Sequence, residues 1–200
     1  MTSSCVPFAP LLLFCIQVDS LINNDACQNA SIISRSSWGA RPATDITLEH
    51  LPVDLFFIHH TSEQLCTDPA HCIKIVQGIQ NYHIEHNGWW DIGYSFLVGE
   101  DGNVYEGRGW KRVGAHTYGF NSRSLALSFI GNFENHVPNE KALNAAKALL
   151  ECGVQKGYLN PSYRLYGHRD ALPTECPGTS LYNLINTWPH YSTIPLQKSQ

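Results

Sequence analysis

The run Val53-Asp54-Leu55-Phe56-Phe57-Ile58-His59-His60-Thr61 constrains the fold of this chain more than any other segment. It is mostly apolar, rich in Phe and Ile and without helical spacing, so it reads as a buried strand. The remaining sequence alternates helical and strand patterns around it. Asp68 caps a helix with Pro69 at its first position, and Val76, Ile79, Gln80 and His83 follow at helical spacing until Asn87-Gly88. Tyr94 to Val98 and Asn103 to Glu106 flank Gly99-Glu100-Asp101-Gly102, whose Asp-Gly pair signals a hairpin turn. Leu125, Leu127 and Phe129 alternate with Ala126 and Ser128 as another strand. Asn139 caps a second long helix through about Lys156, with Leu143, Ala146, Leu150 and Val154 facing inward and Gly157 as its stop signal. A short strand from Tyr163 to Tyr166 and a short helix from about Ser180 to Asn186 complete an α/β layout.

The first strand delivers His59 at its end and turns His60 to the opposite side. His168 and Cys176 lie together in the segment from Gly167 to Gly178. Two imidazoles and a thiol suit zinc, and three protein ligands leave one coordination position for water, the pattern of a catalytic site. A fourth protein ligand would close the shell and make the site structural, and none of suitable spacing is evident. A lone Cys also fits an inert buried thiol or a bridge to another chain. The two histidines shift the balance towards a metal ligand.

Of the seven cysteines, Cys5 and Cys15 fall in the apolar stretch around Val6 to Val18. That stretch is too short to span a bilayer as a helix. It suits the hydrophobic region of a signal peptide, although no Lys or Arg precedes it, and Val18-Asp19-Ser20 places cleavage after Ser20. Residues 1–20 are then a leader and residues 21–200 one secreted domain in an oxidising compartment. Cys66 and Cys72 bracket a short turn-forming loop and are expected to pair, while a Cys27 to Cys152 bridge would tie down the N-terminus. Cys176 is left over. Asn29-Ala30-Ser31 is a glycosylation sequon, consistent with export. The formal charge of −4 becomes −3 once Asp19 leaves with the leader, and no basic patch dominates, which argues against nucleic acid as the main partner.

Several strings together carry a family resemblance: Ser37-Trp38-Gly39-Ala40, Ile58-His59-His60-Thr61, Asp91-Ile92-Gly93-Tyr94, Val104-Tyr105-Glu106-Gly107-Arg108-Gly109-Trp110, Gly114-Ala115-His116-Thr117, Gly131-Asn132-Phe133 and Gly167-His168-Arg169-Asp170. From about Ile33 to Tyr191 the chain resembles the peptidoglycan recognition proteins, which are related to phage-type zinc amidases. The resemblance implies a single domain with a central mixed β-sheet flanked by helices, and a groove for a muropeptide. It does not by itself imply catalysis, because many members lack a zinc ligand and act only as sensors. The catalytic members hold Zn2+ through residues at the positions of His59, His168 and Cys176, and non-catalytic ones usually carry Ser at the last. Tyr94 and Thr174 match positions of the reaction centre.

The same resemblance places His60, His83, Gly88, Trp89, Trp90, Tyr105, Arg108, His116, Thr117 and Asn121 in the muropeptide groove. For His60 and His83 a structural imidazole is the competing reading. Trp90 replaces a Cys found in some vertebrate relatives, which removes their additional disulfide. Arg108, with Gly88 and Trp89, matches members that prefer peptidoglycan bearing meso-diaminopimelate over L-lysine; the competing reading is a solvated hairpin charge. The implied activity is hydrolysis of the N-acetylmuramoyl-L-alanine amide in innate immunity against bacteria, and the alternative is a non-catalytic sensor that signals through a partner.

Overall fold

A computed structural model describes residues 26–62 and 64–197. The expected leader lies outside those residues. Ten regular elements follow in order: α1 (Ala26–Asn29), β1 (Ile32–Ile33), β2 (Val53–His60), α2 (Pro69–Glu85), β3 (Phe96–Val98), β4 (Val104–Glu106), β5 (Ser124–Phe129), α3 (Glu140–Gln155), β6 (Leu159–Gly167) and α4 (Thr179–Ile185). The strands form one mixed sheet in the order β1-β4-β3-β5-β2-β6. Only the β3–β4 hairpin is antiparallel; β2 runs parallel to both β5 and β6.

The alternation along β2 explains how the sheet is covered. Phe56 and Ile58 join Phe96, Leu127 and Phe129 in a core on one face, where α3 contributes Leu143, Ala146, Leu149 and Leu150 and α4 contributes Leu181 and Ile185. Leu55 and Phe57 point the other way, to Phe120, Ala126 and Tyr166. Over the β3–β4 end of that second face, α2 lays Cys72 and Val76 against Leu97 and Tyr105. With both faces covered, β2 and β5 are buried almost throughout, as interior parallel strands must be.

The helix signals operate as the residues dictate. The Asp68 side chain accepts the His71 amide at 2.9 Å and Asn139 accepts that of Ala142 at 3.0 Å. Both expected disulfides form, Cys27–Cys152 and Cys66–Cys72, and Cys176 is free. The first ties α1 to α3. The last strand begins at Leu159, four residues before the expected Tyr163, because Leu159 pairs with Val53 beyond a register irregularity. An edge strand tolerates Pro161 there, and Pro161 masks the strand pattern. The elements α1 and β1 are too short to leave a periodic signature.

Candidate metal centre

Because β2 and β6 are parallel neighbours with Ile58 opposite Gly167, His59 and His168 emerge side by side at the carboxyl ends of their strands. That edge is where open α/β sheets gather ligands. The two rings lie with centroids 4.3 Å apart. Cys176 returns to the same point, its Sγ 3.7 Å from His59 Nδ1. The ligand atoms of all three residues fall within 4.8 Å of one another, and no fourth His, Cys, Asp or Glu joins them among the described residues.

Each donor is held by its own local device. His168 opens a 3-10 turn, His168–Asp170, whose Asp170 carboxylate accepts the Gly167 amide at 2.8 Å and the Tyr182 hydroxyl at 2.6 Å. A side chain on Gly167 would meet the Tyr182 ring at 2.8 Å, so glycine there lets α4 press on the turn. Cys176 is fixed by three bonds: its carbonyl accepts the Arg169 amide at 3.0 Å, its amide donates to Thr174 Oγ1 at 3.2 Å, and its Sγ accepts the His60 amide at 3.4 Å. Gly178 follows at a φ of +90°, where a Cβ would sit 2.4 Å from the Phe133 backbone. His59 is anchored from behind by Thr117, whose Oγ1 lies 3.2 Å from its Nε2.

The electrostatics leave the donors underpartnered. Burial pushes His59 well below the ordinary imidazole range, with His168 adding to the shift, and holds His168 at about 4. Burial also pushes the Cys176 thiol up to about 12. His168 Nε2 is buried without a hydrogen-bond partner among the described residues. Two neutral imidazoles and a thiol that needs a cation to ionise are a fitting set for zinc. On a tetrahedral ion with bonds of about 2.3 Å to sulfur and about 2.0 Å to nitrogen, sulfur and nitrogen would stand about 3.5 Å apart, close to the spacing of Cys176 and His59.

The three donors line a cavity of about 380 Å3, together with His60, Trp89, Tyr94, His116 and Thr174. The Tyr94 ring lies 5.5 Å from that of His59. Ser62, Ala115 and Glu175 line it too, and nothing in their sequence context marks them.

A family model described as N-acetylmuramoyl-L-alanine amidase matches residues 49–179. The chain is 45% identical over 165 residues to the peptidoglycan recognition protein of Trichoplusia ni, covering 82% of this chain and 90% of that one. It is 44% identical over 180 residues to peptidoglycan-recognition protein SC2 of Drosophila melanogaster, covering 90% and 94%. Among solved structures, peptidoglycan recognition protein LE in complex with tracheal cytotoxin, a monomeric diaminopimelic acid-type peptidoglycan, superposes with a TM-score of 0.81 at 46% identity, covering 82% of this chain and 98% of that one. The chain belongs to the peptidoglycan recognition protein family.

The residues that the resemblance assigned to the muropeptide groove separate in this family member. His60, Trp89 and His116 line the cavity. His60 faces away from His59 along the strand, yet the strand ends there, and its ring closes the wall by accepting the Phe133 amide on Nδ1 at 3.2 Å. His83 borders an adjoining cavity that Tyr94 also lines. Its Nδ1 accepts the Gly93 amide at 3.0 Å and burial lowers its pKa to about 4, so it serves the structure at that nitrogen. Gly88 has a φ of +68°, which turns the chain into Trp89. Trp90 is exposed but outside the cavity wall, and its carbonyl accepts the Thr44 amide at 2.9 Å.

Three residues differ from direct groove contacts. Tyr105 and Thr117 are 0% exposed, so neither has surface to offer a ligand. The Tyr105 hydroxyl donates to Asp101 at 2.6 Å inside the hairpin. Asn121 accepts the amides of His116 and Thr117 at 2.9 and 2.8 Å, holding the wall from outside. Arg108 is no solvated charge: it is buried, and its Nε and Nη1 donate to the carbonyls of Ile92 and Val113 at 2.8 and 2.7 Å.

Proposed function

We propose that this protein is a secreted zinc-dependent amidase that hydrolyses the bond between N-acetylmuramic acid and L-alanine in peptidoglycan. The observation that carries the reading is a set of three converging ligands, without a fourth among the described residues, on the wall of a cavity. Zinc bound there would supply a Lewis acid that polarises the amide carbonyl and lowers the pKa of a water towards roughly 7. His59, His168 and Cys176 would hold the ion, and the cavity that they line would give substrate access to it. Tyr94, beside His59, would donate a hydrogen bond to the carbonyl oxygen as charge develops on it. Thr174 accepts the Cys176 amide, which leaves its own hydroxyl proton to serve as a second donor.

The groove reading extends to the stem peptide. Two carboxylates serve three guanidinium groups here: Asp91 faces Arg35 and Arg112 at 3.0 and 3.6 Å and also acts on Arg108, and Glu106 acts on Arg112, so the cluster carries excess positive charge. Part of Arg108's five-donor fork is uncommitted, which suits the extra carboxylate of meso-diaminopimelate. The diaminopimelate-type ligand of the LE protein supports the same preference. Secretion is supported by two disulfides, which persist in oxidising compartments, and by the leader read in residues 1–20.

The test is digestion of purified muropeptide by the zinc-replete protein, with and without a chelator, read by mass. Release of free stem peptide that the chelator stops and added zinc restores is expected. Intact substrate in zinc-replete conditions would overturn the enzyme reading and leave a peptidoglycan-binding sensor.

A further inference from the structure

We propose that Thr117 is a positioning residue whose hydroxyl decides which nitrogen carries the proton in both His59 and His116. The inference rests on the metal reading of His59 and extends it to the residues behind the ligand.

A neutral imidazole has one N–H and one lone pair, and which nitrogen holds which is fixed by its surroundings. His59 Nδ1 faces Cys176 Sγ at 3.7 Å, so binding the ion takes its lone pair. The proton must then sit on Nε2, which donates to Thr117 Oγ1 at 3.2 Å. A hydroxyl has a single proton of its own. Having accepted from His59, Thr117 gives that proton to its other imidazole neighbour, His116 Nδ1, at 3.0 Å. His116 is therefore protonated on Nε2, a buried atom without a hydrogen-bond partner among the described residues, on a ring that lines the cavity. The choice made at the metal end sets the tautomer one residue further on.

Two features keep this chain from slipping. Thr117 has no exposed surface, so water cannot compete for its hydroxyl. The Asn121 side chain accepts the backbone amides of both His116 and Thr117, which pins the hydroxyl between the two rings. Outer residues that hold the second nitrogen of a metal-binding His fix its tautomer and orientation, and their loss typically costs about 10- to 100-fold in metal affinity.

Long-range 1H–15N spectra of the zinc-loaded protein read the imidazole tautomers directly, and zinc titration reads affinity without reference to turnover. Protons on Nε2 of both His59 and His116 are expected. Thr117→Val keeps the shape and removes the hydroxyl; it should weaken zinc binding about 10- to 100-fold and release His116 into a mixture of tautomers, and Thr117→Ser should restore both. A wild type that takes up zinc while His116 carries its proton on Nδ1, facing Thr117 Oγ1, would overturn the relay alone. So would a folded Thr117→Val variant with unchanged affinity and spectra. A wild type that takes up no zinc would overturn the metal reading and the relay with it.

Discussion

Among the described residues, two buried polar clusters differ in whether the protein supplies the opposite charge. Around Asp91 the partners come from the chain itself. Its Oδ1 accepts the Ile92 amide and the Gln80 side chain at 2.8 and 2.7 Å, and its Oδ2, although without a hydrogen bond among the described residues, has the Arg35 and Arg112 charges at 3.0 and 3.6 Å. Around His59, His168 and Cys176 the chain supplies donors that converge, among the described residues, without an opposite charge, leaving His168 Nε2 unpartnered there. A buried cluster that supplies its own opposite charges rigidifies a fold; one whose donors converge without them is costly unless something else completes it. The first cluster thus acts as an anchor and the second as a socket.

Removing a ligand from the socket should have the largest effect. Cys176→Ser replaces a thiolate by a hydroxyl that resists ionisation, so hydrolysis should be abolished while muropeptide binding is spared. Product assay and calorimetry on the same variant check this. A loss of affinity as large as the loss of turnover would contradict a metal centre separable from the groove.

Removing a partner from the anchor should act on stability instead. Asp91→Ala leaves buried guanidinium groups without their carboxylate, which costs about 3–5 kcal/mol. For a domain of this size that lowers the melting temperature by roughly 6–20 °C. Zinc affinity of the folded protein should stay at the wild-type level. If Asp91→Ala instead abolished zinc uptake without destabilising the fold, the division between anchor and socket would fail.

Tyr94→Phe sharpens the comparison from inside the cavity. Losing one transition-state donor typically costs on the order of 100- to 1,000-fold in turnover. Affinity and zinc content should change little, the pattern of an interaction made mainly in the transition state. Unchanged turnover with a lowered melting temperature would return Tyr94 to a packing role.

The socket was more legible in the sequence than the anchor, for a physical reason. His59 ends an apolar run, and His168 and Cys176 share one Gly- and Pro-bounded loop, so their chemistry and placement are written locally. The disulfides were legible for a similar reason, since loop closure and N-terminal anchoring limit the pairings. Asp91 stands in the Asp91-Ile92-Gly93-Tyr94 string without any role legible there, because its partners Arg35, Gln80 and Arg112 come from three separate segments. Tyr182 and Tyr191, which brace Asp170 behind His168, carry no local signal either. Thr117 was legible as part of a motif, but its full burial between two imidazoles is a product of packing.

Arg108 stands between the two regions, and its substitution should give the smallest effect of the four. Its guanidinium serves the anchor through the Ile92 and Val113 carbonyls, and it also contributes to the lowered pKa of His83 and of His116 in the groove wall. Arg108→Val would leave those carbonyls unpaired and so weaken any ligand through damage to the wall. The specific part is the difference between two ligands alike except for one carboxylate. If Arg108 reads that carboxylate, affinity for a diaminopimelate muropeptide should fall by about 1.5–3 kcal/mol more than affinity for the lysine form, the range of a hydrogen bond to a charged group. Calorimetry with both ligands on wild type and variant isolates that term, because the shared loss cancels. Equal losses would assign Arg108 wholly to the anchor and place the choice of stem residue elsewhere in the groove.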